Sequence, residues 1–127
     1  MKGRVIFVGM HNKPGKAPLD STTKSGKLID RVIEQLPGLT CVKSNLWDLD
    51  YFPSKEGFNY KWASRVEYDS DDVVVCLGQC VIDAFRRGPI PFIHVGHPSA
   101  VWGKLAQVDY IQNCRNKILN LKLQTQK

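Results

Sequence analysis

The chain has 127 residues, 18 Lys and Arg against 12 Asp and Glu, a net charge of +6, and 43% hydrophobic and 24% charged residues. These values describe one globular domain over residues 1–127, and no apolar run approaches the roughly 20 residues of a membrane span, so a bilayer-embedded protein is excluded. Met1-Lys2-Gly3-Arg4 leads into an apolar run too short for a secretory signal, so a cytoplasmic location is the expectation, and the excess of cations suits a polyanionic partner such as nucleic acid.

Taken in chain order, residues 4–9 predict a buried strand, apolar throughout after Arg4. Residues 10–23 form a long loop rich in Pro, Gly, Ser, Thr and Lys. Ser25 to Leu36 predicts a helix, because Leu28, Ile29, Val32, Ile33 and Leu36 recur on one face, and Pro37-Gly38 stops it. Leu39 to Val42 is a short strand running into Lys43-Ser44-Asn45. Residues 48–60 are irregular and aromatic, and Trp62 to Tyr68 is a short helix. Asp72 to Leu77 is a central strand with the β-branched run Val73-Val74-Val75. Gly78 turns it into a helix from Gln79 to Arg87, closed by Gly88-Pro89. Residues 91–96 are the last strand, and Lys104 to Leu121 the last helix, with Leu105, Val108, Ile111, Ile118 and Leu121 at helical intervals. Strands alternating with crossover helices imply an α/β fold: a three-layer α/β/α domain on a four-stranded parallel sheet of order 2-1-3-4, strands one and three central.

The four cysteines give no metal signature. Cys76-x-x-x-Cys80 lacks the spacing of a zinc knuckle, and Cys41 and Cys114 stand apart. Free, mostly buried thiols are the expectation. Asp69, Asp71 and Asp72 read as an exposed turn ahead of a buried strand, and Arg86-Arg87 as cations at a helix carboxyl end. No metal and no cofactor is expected.

Two loops carry the chemistry. Gly9-Met10-His11-Asn12-Lys13-Pro14-Gly15 follows the first strand, and His97-Pro98-Ser99-Ala100-Val101-Trp102 follows the last. Open α/β sheets build ligand sites at the carboxyl ends of their strands, so Asn12, His97 and Ser99 are expected to line one crevice. The first loop is not a Walker loop, since five residues separate Gly9 from Gly15 and Ala17 follows Lys16, and no dinucleotide fingerprint is present. Thr23 or Ser25 is the expected cap of the first helix. Lys13, Lys16, Lys24 and Lys27 crowd positive charge around this loop.

In order along the chain, Gly9 to Gly15, Pro18-Leu19-Asp20 with Ser25-Gly26-Lys27-Leu28-Ile29, Lys43-Ser44-Asn45-Leu46, Val74-Val75-Cys76-Leu77-Gly78 and His97-Pro98-Ser99 resemble the motifs of the uracil-DNA glycosylase superfamily. The likeness covers nearly the whole chain. It implies an enzyme that hydrolyses the N-glycosidic bond of uracil, or another deaminated base, after flipping the nucleotide out of DNA. It implies that His97 stabilises the negative charge developing on the departing base. It implies that Asn45 pairs with the base and that Gly9, Met10, Pro14, Gly15 and Leu19 shape its pocket. Asn12 or His11, with Asp20 as a third candidate, positions the water. Ser99 contacts a phosphate, Val101 or Trp102 wedges into the vacated stack, and Lys13, Lys16 and Lys24 hold the backbone. The alternative for Trp102 is burial against the last helix.

The chain departs from the family pattern around its first loop. The first motif is two residues longer than Gly-x-x-Pro-Gly, and Leu19 stands where relatives carry an aromatic residue. The partner implied is DNA, with no membrane and no obligate protein partner. Two other readings fit the scaffold: a nucleotide or single-stranded DNA binding module without catalysis, and a different small-molecule hydrolase.

Overall fold

A computed structural model describes residues 3–9, 19–45, 69–86 and 91–125. The described elements are β1 (Val5–Gly9), α1 (Lys24–Glu34), β2 (Cys41–Asn45), β3 (Val73–Leu77), α2 (Gln79–Arg86), β4 (Ile93–Val95) and α3 (Lys104–Thr125), with a 3-10 turn over Pro98–Ala100 between β4 and α3. The short helix expected over Trp62 to Tyr68 lies outside the described residues. All strand pairs are parallel and the sheet order is β2-β1-β3-β4, as the alternating pattern implied.

The alternation of strand side chains sorts the core into two layers. Val5, Phe7, Val73, Val75, Leu77 and Val95 face α1 and α3, where they pack with Leu28, Ile29, Val32, Ile111, Cys114 and Ile118. Ile6, Val8, Val74 and Cys76 point the other way and are equally buried, as are Val81, Ile82 and Phe85 of α2. Phe85 meets Phe92 edge-on, ring centroids 5.9 Å apart. Helices therefore cover both faces of the sheet. β1 and β3 are buried at every position, which is why both read as unbroken apolar runs.

At the amino edge of the sheet, Asp72 is buried and its carboxylate is fully engaged. It accepts from the Arg4 amide at 2.9 Å, from Arg4 Nη2 at 2.8 Å and from the Asp69 amide at 2.8 Å. Arg4 and Val73 also join through main chain, Val73 N donating to Arg4 O at 2.8 Å. This corrects the reading of all three carboxylates as an exposed turn: Asp69 and Asp71 are exposed, whereas Asp72 clasps the start of β1 to the start of β3. The Arg4 guanidinium holds the Asp72 carboxyl down at about 2, its hydrogen bonds outweighing the cost of burial.

Among the described residues no helix is long and apolar enough to cross a membrane. Cys41, Cys76 and Cys114 are free thiols, and burial pushes the Cys76 thiol far above its usual range.

Candidate functional site at the carboxyl edge of the sheet

Because the strands are parallel, their four carboxyl ends share one edge. Gly9 pairs with Asn45 in the β1–β2 register, and Val8 with Cys76 in the β1–β3 register, so Gly9, Asn45 and Leu77 end at about the same level. The chain winds leftward from β1 through α1 to β2, and rightward from β3 through α2 to β4. The gap between β1 and β3 is therefore the switch point of the sheet, the position at which open α/β sheets place their ligand sites.

His97 stands beside that gap. Its placement depends on Gly78, which ends β3 in the left-handed region at φ +93°, a conformation that side chains disfavour. A Cβ on Gly78 would lie 3.1 Å from His97 Cβ and 3.4 Å from Cδ2, so the imidazole packs directly onto the glycine backbone. Gly78 N donates to Val95 O at 3.0 Å, joining the exits of β3 and β4. The His97 carbonyl accepts from Ala100 N at 3.0 Å, and Val101 N donates to Pro98 O, which winds the chain into its 3-10 turn. α3 braces the same segment from behind. Tyr110 Oη donates to Gly96 O at 2.7 Å, and Lys117 Nζ to His94 O at 2.9 Å. Burial raises the Tyr110 phenol well above its ordinary range, so it acts there as a fixed donor, and burial likewise lifts the neighbouring Cys114 thiol to about 11. His94, three residues earlier, is exposed on the edge strand and does not join His97.

Through Lys24 and Trp102, the segment after His97 meets the entry to α1. Thr23 is its N-cap, of the two candidates, accepting from Gly26 N at 3.0 Å while its hydroxyl donates to Asp20 O at 2.7 Å. Gly26 is required by contact rather than by backbone angle. A Cβ there would fall 1.9 Å from Asp20 O, so the turn before the helix lies against the helix itself. Asp20 Oδ1 accepts from both the amide and the hydroxyl of Thr22, at 2.8 and 2.7 Å. That commits one of its oxygens to the turn.

Leu19 has φ +48° and is packed against the core. Its carbonyl is held by Lys43 Nζ at 2.9 Å, and the same ammonium reaches Ser21 Oγ at 3.3 Å and Asp30 Oδ1 at 2.5 Å. Burial of Asp30 is outweighed by its bonds to Lys43 and Ser21, so its carboxyl sits below the usual range. Lys43 thus locks β2, α1 and the strained turn into one unit. The sequence placed Lys43 just past a strand expected to end at Val42, whereas β2 runs on to Asn45 and carries Lys43 within it.

Of the other expected site residues, Gly9 is buried at the end of β1, and Val101 packs on the core below the turn. Asn45 ends β2 and Ser99 lies in the 3-10 turn, but their side chains fall outside the described residues. So do Met10, His11, Asn12, Lys13, Pro14, Gly15 and Lys16. Trp102 is 75% exposed, which overturns the alternative of burial against α3. Lys24 lies over its ring, 3.5 Å from the centroid, so two residues expected to contact DNA contact each other across the α1 and His97 segments. Lys24 is the first residue of α1, whose first turn has no acidic side chain. The helix dipole disfavours a cation there, and the contact with Trp102 offsets that cost.

Compared with known protein families, curated proteins and solved structures, the chain finds no match.

Proposed function

We propose that the chain is an N-glycosyl hydrolase of the uracil-DNA glycosylase type, acting on uracil or another deaminated base in intracellular DNA. The observation that carries this reading is His97, seated on the Gly78 backbone beside the switch point of the sheet, on a segment braced from both sides. A donor fixed in that way stabilises charge without reorganising when the charge develops.

In this reading the flipped nucleotide enters the crevice between the β1 and β3 exits. Asn45 pairs with the amide edge of the base, since a carboxamide offers both a donor and an acceptor. As the N-glycosidic bond breaks, its electron pair moves onto the base, and His97 donates a hydrogen bond to the carbonyl oxygen where that charge concentrates. A water positioned by Asn12 or His11 adds its oxygen to the sugar carbon and passes its proton to His11 or to the departing base anion, leaving an abasic site and a free base. Leu19 covers the base by dispersion rather than stacking. The chemistry needs no cofactor, because the leaving group is stabilised by fixed dipoles and the nucleophile is water.

The test is incubation with single- and double-stranded oligonucleotides containing one uracil, followed by alkali. Strand breaks are expected with the native chain, and His97→Ala is expected to slow them by about 100- to 1000-fold, the effect of removing one such donor. Salt-sensitive binding without breaks would overturn the enzyme and leave a DNA-binding module on the same scaffold.

A further inference from the structure

We infer that the seam between α1 and α3 is a track for single-stranded DNA, in which Trp102 stacks on one base and Lys24, Lys27 and Arg31 pair with successive phosphates. The track lies between two helices packed on one face of the sheet, so it is a separate surface from the strand ends that would hold the excised base.

Lys24, Lys27 and Arg31 follow the i, i+3, i+7 spacing that puts them on one side of α1. Together with Leu28 and Gln107 they line a surface hollow of about 420 Å³, and Arg31 Nη1 reaches across to Gln107 Oε1 at 3.2 Å. Arg31 also borders the next hollow along the seam, about 270 Å³, beside Val108 and Ile111 of α3, where Glu34 ends the run of positive charge. Among the described residues none of the three cations pairs with a carboxylate. At a rise of 1.5 Å per residue, Lys24 and Arg31 stand about 10 Å apart along the axis.

Trp102 supplies the second half of the site. One face of the indole is covered by the Lys24 ammonium, and 75% of the residue remains in solvent. A large ring held in water contributes little to folding. An exposed ring fixed by a cation is a stacking platform, and every base has a face that fits it. Leu105, three residues on, is exposed as well, at 83%. A protein partner would call for a broad apolar patch with charge at its rim. Here the cations form one file beside a single aromatic, the pattern of a backbone funnel with stacking.

The inference takes its ligand class from the proposed function, so the probe is chosen to contain no uracil. A labelled oligothymidylate about 12 nucleotides long is titrated at several salt concentrations, with anisotropy and tryptophan fluorescence read together. Trp102→Ala is expected to weaken binding about 10-fold. Lys27→Ala with Arg31→Ala is expected to flatten the slope of log affinity against log salt by about 1.4, two phosphates at about 0.7 each. Oligonucleotide is expected to quench the fluorescence of the native chain but not of Trp102→Phe, although Trp47 and Trp62 remain. All three positions are solvent-facing, so the variants keep the fold. Unchanged affinity and slope, quenching that survives Trp102→Phe, or equal binding of polyglutamate would overturn the track. If the track holds and uracil excision fails, the enzyme reading falls alone, and the reverse result sinks only the track.

Discussion

At the amino edge of the sheet a buried carboxylate, Asp72, takes hydrogen bonds from a guanidinium and two amides of neighbouring segments. At the carboxyl edge of the same strands, main-chain bonds and glycines set the geometry, and the side chain presented there is an imidazole resting on Gly78. The first edge is closed by charge satisfied within the fold. The second is shaped by the absence of a side chain at Gly78, whose place the imidazole takes. The difference teaches where the two demands on a small α/β domain are met. A part-buried ion pair ties the strands together where they begin, and the proposed chemistry would sit where they end.

The comparison breaks most visibly at Asp72. Asp72→Ala strands the Arg4 guanidinium and the Arg4 and Asp69 amides at a buried junction, and is expected to cost about 3 kcal/mol in denaturant unfolding. The carboxyl edge should not register the loss except through the unfolded fraction, so excision per folded molecule is expected to stay constant. Acid acts on the same clasp more gently. The Asp72 carboxyl titrates at about 2 when folded, against 3.8 for the ordinary group. A lowered folded value means the contribution is fully present above the ordinary value and is lost as pH falls from there toward 2. The gap corresponds to about 2 kcal/mol. Stability measured across pH 5 to 2 should fall by about that much in the native chain and show a flatter decline in Asp72→Ala.

Most of the fold was legible because its signals are local or periodic. The unbroken apolar runs of β1 and β3, the helical spacing of Leu28, Ile29 and Val32, and the Pro37-Gly38 stop each carry their own explanation. Alternation then left few topologies, and the 2-1-3-4 order followed. The Asp72 clasp was not legible, because its partner lies 68 residues away in sequence and an acidic triplet before a strand looks the same whether exposed or paired. The site divides in the same way. A histidine after the last strand was readable, and its position at the carboxyl edge follows from topology. That Gly78 forms its floor was not, since a glycine after a strand ordinarily signals a turn and nothing more. Lys43 was missed for a related reason: its three partners sit on a turn and a helix that the sequence does not bring near it.

Gly78 is where the two edges can be told apart most finely. Gly78→Ala carries two separable penalties: a left-handed φ that an L side chain resists, and a methyl 3.1 Å from His97 Cβ. The first belongs to the backbone and is expected to cost about 1–2 kcal/mol of stability. The second pushes the imidazole from its seat, and a displacement on that scale is expected to lower uracil excision by about 100-fold even in fully folded protein. A double-mutant cycle separates them. With His97→Gly in the background the methyl has no neighbour to displace, so Gly78→Ala should cost only its backbone strain. If the carboxyl edge is built to hold His97, the coupling between the two positions is expected to reach about 0.5 kcal/mol or more. Additive stabilities, together with excision unaffected by Gly78→Ala, would mean that the glycine serves its turn alone and that the imidazole is held by other means.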